Sequence, residues 1–252
     1  MSPETVTAQD GYGPDFAGIY DLIYTLRGKD YAAEAAFVAD SILERRPGAA
    51  SLLDVACGTG AHLAHLADRF AHAEGLELSP AMLARARERL PGLTLHQGDM
   101  RTFALGRRYS ALTCLFTAVA HQNSTAELRA TAGRFAAHLE PGGVAVIDPW
   151  WFPETFLDGY VTADVLTPDH RTITRLSYSV REGDSSRMDV HYVVADPVSG
   201  ARHFTESYRH RLFPRAAYER ALTDSGFAVE YLDGALSGRG LFIATLEGRQ
   251  PS

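Results

Sequence analysis

The stretch Leu52-Leu53-Asp54-Val55-Ala56-Cys57-Gly58-Thr59-Gly60 decides the fold, because an apolar strand runs directly into a turn carrying two glycines. A backbone can approach a ligand closely only where no side chain intervenes, and a side chain at Gly58 or Gly60 is expected to block that approach. Glu77 follows at the end of the next strand. An acidic residue at that distance from the turn accepts hydrogen bonds from the two hydroxyls of a ribose. The corner reads as a nucleoside site.

The nucleoside it suits is S-adenosylmethionine. A dinucleotide fold would place a further small residue three positions after Gly60, where helix and strand pack tightly, and Leu63 stands there instead. A phosphate-cradling loop would need Gly-Lys followed by Ser or Thr, and no such triplet occurs. The plain alternative is a βα turn of some other α/β enzyme, with Glu77 a solvated strand end.

Outward from this corner, apolar strands alternate with helical periodicity, the pattern of an α/β protein whose parallel sheet is covered on both faces. Helices are expected at 31–45, 61–70, 80–90 and 126–139, and strands at 51–55, 73–78, 93–97, 111–116 and 144–148. Ser79 caps the third helix with Pro80 at its first position, and Pro141-Gly142-Gly143 supplies the turn before strand five. The period then changes to two over 171–180, 187–196 and 203–213, an antiparallel meander inserted within 160–213. A helix at 215–225 and strands at 228–232 and 241–246 complete a single domain of 252 residues.

Composition excludes several classes. Hydrophobic residues make up 46% and charged residues 22%, as in an ordinary soluble globular chain. A net charge of -7 argues against a nucleic-acid partner, so an anionic substrate must be held by local arginines. The two cysteines, Cys57 and Cys114, support neither a disulfide framework nor a zinc site, and no metal is expected. Residues 1 to 20 contain no apolar leader and no run is long enough to span a membrane, which predicts a cytoplasmic enzyme. Met1 to Asp10 read as a mobile tail.

Open α/β sheets bind ligands at the carboxyl ends of their strands. There Gly98-Asp99-Met100 follows strand three, so Asp99 can accept from an adenine amino group while Met100 packs on the ring; a turn aspartate beside a core methionine is the simpler alternative. Strand four delivers Leu115, Phe116 and, after a short loop, His121. A methyl donor and its acceptor would meet at such a place.

Asp54-Val55-Ala56-Cys57-Gly58-Thr59-Gly60, Gly28-Lys29-Asp30-Tyr31, Gly75-Leu76-Glu77-Leu78-Ser79, Gly98-Asp99-Met100-Arg101, Pro149-Trp150-Trp151-Phe152-Pro153 and Ser237-Gly238-Arg239-Gly240 together resemble the TDP-amino-sugar N,N-dimethyltransferases of macrolide biosynthesis. The tryptophan pair and the last motif are the narrow ones, and the resemblance covers nearly the whole chain. It implies a class I methyltransferase sheet of seven strands, the last antiparallel, capped by the meander. The activity implied is methyl transfer from S-adenosylmethionine to the amine of a thymidine diphosphate sugar, in a homodimer. By position, Tyr12, Tyr20, Asp54, Ala56, Gly58, Gly60, Glu77, Leu78, Asp99, Met100 and Leu115 match donor contacts, and Tyr12, Trp151, Tyr160, Arg175 and Arg239 match the wall that binds the sugar nucleotide. His121 matches the histidine beside the sugar amine, with Tyr12 as its catalytic companion. Asp148 stands where relatives carry glutamate, and 116–121 reads Phe-Thr-Ala-Val-Ala-His where they carry serines and a glycine, which points to a different amino sugar as acceptor.

The chemistry asks that the sulfonium be bound away from nucleophiles, so Cys57 is expected to turn away. The amine must be in line with the methyl group, and orientation of this kind supplies up to about 7 to 11 kcal/mol of a barrier. It must also be neutral, although an alkyl ammonium titrates near about 10. His121 is the candidate base, or else a hydrogen-bond partner that turns the lone pair; a base would make His121→Ala more harmful at pH 7 than at pH 9, whereas positioning alone would make the effect uniform. Arg239, in its glycine-flanked loop, is the candidate for the diphosphate, ahead of Arg175, with which Arg181, Arg187, Arg209 and Arg211 compete. An O-methyltransferase, a methyltransferase of another amine and a nonenzymatic binding protein are the competing classes at this point.

Overall fold

The computed structural model describes residues 12–236 and 238–248. The tail at Met1 to Asp10 and Ser237 of the last motif lie outside the described residues. Two short helices come first, α1 (Pro14–Ala17) and α2 (Tyr20–Leu26), neither of them expected from the sequence. Helices this short have little stability of their own, and burial holds them: Phe16, Ile19 and Ile23 are enclosed against Ile173, Val190 and Tyr192.

The wound core follows as α3 (Tyr31–Arg45), β1 (Ser51–Val55), α4 (Ala61–Leu66), β2 (His72–Glu77), α5 (Pro80–Arg89), β3 (Thr94–Gln97), β4 (Tyr109–Cys114), α6 (Thr125–His138) and β5 (Leu139–Ile147). Capping acts where the sequence placed it, with Ser79 Oγ accepting from the Met82 N–H at 3.3 Å. Two boundaries of this core differ from expectation by more than two residues. α4 ends at Leu66 rather than at residue 70, and β5 begins at Leu139, so that Pro141-Gly142-Gly143 lies within the strand. Gly142 (φ 73°) absorbs this, in a segment where the pairing of β4 with β5 shifts between Tyr109 and Ala111.

Next come β6 (Tyr160–Leu166), β7 (Thr172–Glu182), β8 (Ser185–Asp196), β9 (Gly200–Arg211), α7 (Arg215–Thr223), β10 (Phe227–Leu232) and β11 (Leu241–Leu246). The main sheet has the order β3-β2-β1-β4-β5-β11-β10, and β11 runs antiparallel to both its neighbours. The seven strands and the reversed last one are those expected. Leu53 and Val55 enter one core cluster and Leu52 the other, so β1 is apolar on both faces because both are covered. The strand order reverses between β1 and β4, which opens a crevice at their carboxyl ends.

The second sheet, β6-β7-β8-β9, is antiparallel throughout and has four strands where the periodicity predicted three. β6 escaped notice because it is an edge strand with half-exposed faces, so its alternation of Val161, Ala163 and Val165 is weakly apolar. Pairing sets Tyr160 opposite Ser179, Thr162 opposite Ser177 and Asp164 opposite Arg175 on the inner face. No helix among the described residues is long and apolar enough to cross a membrane.

Candidate functional site

A cavity of about 810 Å³ opens where β1, β2, β3 and β4 end. Glu77, 8% exposed, forms its floor: Oε2 accepts the Gly58 N–H at 2.9 Å and Oε1 the Ser79 N–H at 2.7 Å. A carboxylate has about four acceptor positions, so two are left for a ligand diol. Burial pushes the Glu77 pKa up while these backbone donors hold it down. Gly58 (φ 57°) faces open space, since a Cβ built there meets no protein atom within 4 Å. Leu78 presents an apolar side chain to the cavity while 58% exposed. Ala56, Met100 and Leu115 complete the apolar part of the lining.

Two expectations, on Gly60 and Asp99, are refined here. Gly60 does not face the cavity; its left-handed φ of 76° and a Cβ clash at 2.8 Å with Leu90 Cδ1 make it a requirement of helix packing rather than of the ligand. Asp99 lines the cavity, yet its oxygens already take the Arg101 backbone N–H at 2.8 Å and guanidinium contacts at 2.5 to 3.0 Å. An adenine amino group would have to displace one of these. Cys57 lines the cavity, but its Sγ is seated where a Cβ on Gly75 would fall, and burial pushes the thiol pKa well up. Asp54 is buried, accepts from Thr113 Oγ1 at 2.7 Å and is pushed up to about 7 by desolvation.

A second cavity of about 360 Å³ lies between the main sheet and the inner face of the second one. Tyr12, Tyr20 and Phe116 line both cavities and mark where they meet. The backbone at this junction is unusual: Tyr12 (φ 67°), Ala56 (φ 58°), Phe116 (φ 53°) and Thr117 (φ 66°) are left-handed without being glycine. Each costs about 1 to 3 kcal/mol and is retained only where the surroundings enforce it. Tyr12 is fixed from three sides, by its N–H to Glu206 at 3.1 Å, by Ser79 Oγ donating to its carbonyl at 3.0 Å, and by its hydroxyl 3.1 Å from His121 Nε2. Burial raises the phenol pKa of Tyr12 well above its ordinary value and depresses that of His121 to about 4. The pair is therefore neutral near pH 7, joined by one hydrogen bond, and His121 is a weak base.

In the second cavity, Arg239 Nε donates to the Pro149 carbonyl at 3.2 Å, and its guanidinium lies 5.5 and 5.6 Å from the Trp150 and Trp151 rings. Its Nη2 is buried without a hydrogen bond, with Asp148 Oδ2 3.6 Å away. Desolvation pushes Asp148 up to about 6 against the pull of Arg239. Arg175, also buried, donates through Nη1 to Ser177 Oγ at 3.0 Å and leaves Nε without a partner. Each guanidinium thus has a carboxylate oxygen at 3.6 Å, Asp148 for Arg239 and Asp164 for Arg175, and keeps a buried donor unpaired, which is the chemistry an anion would use. Trp151 and Tyr160 line the same wall. Sequence reasoning missed Tyr24, Ser177 and His210 in this lining; the alternation of β7 and β9 carried the signal for the last two, but nothing local says which face is inner.

A main sheet of this order, with a cavity that suits a nucleoside beside Glu77 and Gly58, defines an S-adenosylmethionine-dependent methyltransferase, and the family model described as a methyltransferase domain matches residues 52–143. A relative from Streptomyces venezuelae, dTDP-3-amino-3,4,6-trideoxy-alpha-D-glucopyranose N,N-dimethyltransferase, is 57% identical over 92% of this chain and 98% of its own. Another from Saccharopolyspora spinosa, dTDP-4-amino-2,3,4,6-tetradeoxy-D-glucose N,N-dimethyltransferase, is 50% identical over 92% of this chain and 93% of its own. The chain belongs to the dTDP-amino-sugar N,N-dimethyltransferases. It superposes with a TM-score of 0.85 on SAM-bound CalS10, an amino pentose methyltransferase of Micromonospora echinaspora in calicheamicin biosynthesis, at 52% identity over 90% of this chain and 96% of that one.

Proposed function

We propose that this enzyme methylates the amine of a TDP-linked amino deoxysugar twice, giving an N,N-dimethylamino sugar for an antibiotic. The observation that carries the reading is the meeting of the two cavities at Tyr12, Tyr20 and Phe116. One cavity has the lining of a nucleoside donor site and the other holds the spare guanidinium donors that a diphosphate requires.

The donor, when bound, supplies an electrophilic methyl group on a sulfonium that departs as a neutral thioether. Glu77 would hold its ribose diol, Ala56, Gly58 and Leu115 the backbone side, and Leu78 and Met100 the faces of its base, with Asp99 at the base's edge in exchange for one Arg101 contact. Tyr12 and Tyr20 close the junction with aromatic surface, which suits a cation better than a nucleophile does. Arg239 and Arg175 hold the diphosphate, while Trp151 and Tyr160 flank the sugar and thymine. Anchoring the acceptor so far from its nitrogen converts binding energy into orientation. His121, neutral and joined to the Tyr12 hydroxyl through Nε2, packs beside the amine and holds it so that the nitrogen lone pair turns toward the methyl. Water takes the proton before each transfer, since an imidazole with a pKa of about 4 is a poor acceptor for it.

The second sheet belongs to the same domain as a cap over the acceptor. A cytoplasmic homodimer completes the reading. Its support is an apolar row on the outer face of that sheet, where Val161, Val165, Leu176, Tyr178 and Val193 are all more than 40% exposed. Incubation with S-adenosylmethionine and a panel of TDP-amino sugars tests the reaction: a mass gain of one and then two methyl groups supports it, and none with any of them sinks it.

A further inference from the structure

His210 lies on the inner face of β9, opposite Ser186 of β8, and lines the second cavity. Its ring is held between that of His121, with centroids 4.6 Å apart, and that of Trp150, also at 4.6 Å. It is 3% exposed. Its Nδ1 is buried and has no hydrogen-bond partner, and no side chain or backbone group among the described residues bonds either ring nitrogen. A buried polar atom left in this state bears its desolvation cost without a hydrogen bond to offset it. Phenylalanine would fill the same aromatic stack without that cost. The imidazole is also uncharged, since burial, His121 and Arg239 all depress its pKa well below the ordinary value. A neutral imidazole keeps one donor and one acceptor, and His210 spends neither on the protein.

The two histidines address different spaces. His121 lines the donor cavity, at the junction where the amine must sit, and His210 lines the acceptor cavity next to it. Rings this near to each other reach substituents on neighbouring carbons of one sugar. Given the reading above, in which the acceptor is a TDP-amino sugar, we infer that His210 hydrogen-bonds a hydroxyl on the carbon adjacent to the amine-bearing one, so that the site selects a vicinal amino alcohol over its deoxy counterpart. A pocket built to hydrogen-bond a hydroxyl discriminates against the analogue lacking it, because its own polar atoms are then left unpaired.

The test compares kcat/KM on two TDP-amino sugars that differ only in that hydroxyl, for the wild type, His210→Phe and His210→Asn. The wild type should prefer the hydroxylated sugar by about tenfold to a hundredfold. His210→Phe should bring the two within about threefold of each other, mainly through KM on the hydroxylated one, and His210→Asn, which keeps a donor and an acceptor in the ring's place, should restore part of the preference. Calorimetric binding of S-adenosylhomocysteine, unchanged from wild type, verifies that each variant is folded; if the Phe variant fails there, the Asn variant decides, by keeping a preference or losing it. Equal loss on both sugars, or an unchanged preference, overturns the inference while leaving the proposed function intact. A wild type that binds the thioether yet methylates neither sugar overturns both.

Discussion

The Tyr12 hydroxyl stands 3.1 Å from Nε2 of His121, a contact made across 109 residues where the two cavities meet. Because burial leaves the phenol protonated and the imidazole neutral, this hydrogen bond fixes the ring without charging it. His121→Ala should therefore lower kcat by about tenfold to a hundredfold, by the same factor at pH 7 and at pH 9. Steady-state rates at the two pH values check this. A deficit that shrinks at pH 9, where more of the amine is already neutral, would return His121 to the role of base.

Arg239 is held by the Pro149 carbonyl and two indole faces and has a free buried donor. Arg239→Ala should weaken binding of TDP alone by about tenfold to a hundredfold, the usual range for a lost charge-assisted hydrogen bond. Titration calorimetry with TDP and with S-adenosylhomocysteine separates the sites, because only the first affinity should change. Undiminished TDP binding would remove Arg239 from the diphosphate site.

Gly58 and Gly60 share a left-handed backbone but face different neighbours. Alanine at either should destabilise the fold by about 1 kcal/mol or more through the positive φ, with Gly60→Ala the worse because its methyl meets Leu90. Only Gly58→Ala puts that methyl into the donor cavity. Thermal melts should fall for both, while affinity for S-adenosylhomocysteine should fall for Gly58→Ala alone among variants that stay folded.

Asp54 has its folded pKa raised to about 7 by burial, against about 3.9 in an unfolded chain. Between those values the folded state binds more protons than the unfolded one, so this group's contribution makes stability fall as pH rises from about 4 to about 7. Asp54→Asn still accepts from Thr113 and removes that liability. The variant should gain stability over wild type at pH 8, by about a few kcal/mol, and gain little at pH 4. Urea denaturation at both pH values measures the difference, and a gain as large at pH 4 would contradict the assigned cause.

Much of the fold was legible because it is written locally. The strand-glycine-turn pattern at Leu52 to Gly60, the Ser79-Pro80 cap and the alternation of β7 to β9 are matters of neighbouring residues, and each appears where expected. Elements that depend on distant partners were not legible. α1 and α2 are helical because Phe16, Ile19 and Ile23 are buried against strands more than a hundred residues further along the chain, and β6 is a strand because β7 offers it an edge. Gly60 was assigned to the ligand for want of Leu90, which is near it only in space.

By itself the sequence determined the wound sheet, the donor corner at Gly58 and Glu77, and the pool of arginines from which an anion site could be built, since periodicity and turn chemistry are properties of short segments. Tertiary structure alone decided which arginines converge on the second cavity, that Asp99 is already engaged by Arg101, and that His210 lines that cavity with its Nδ1 unpaired. It also decided the protonation states, because the pKa of His121 is set by burial among groups such as Tyr12 and His210 of β9, and that burial exists only once the chain has folded.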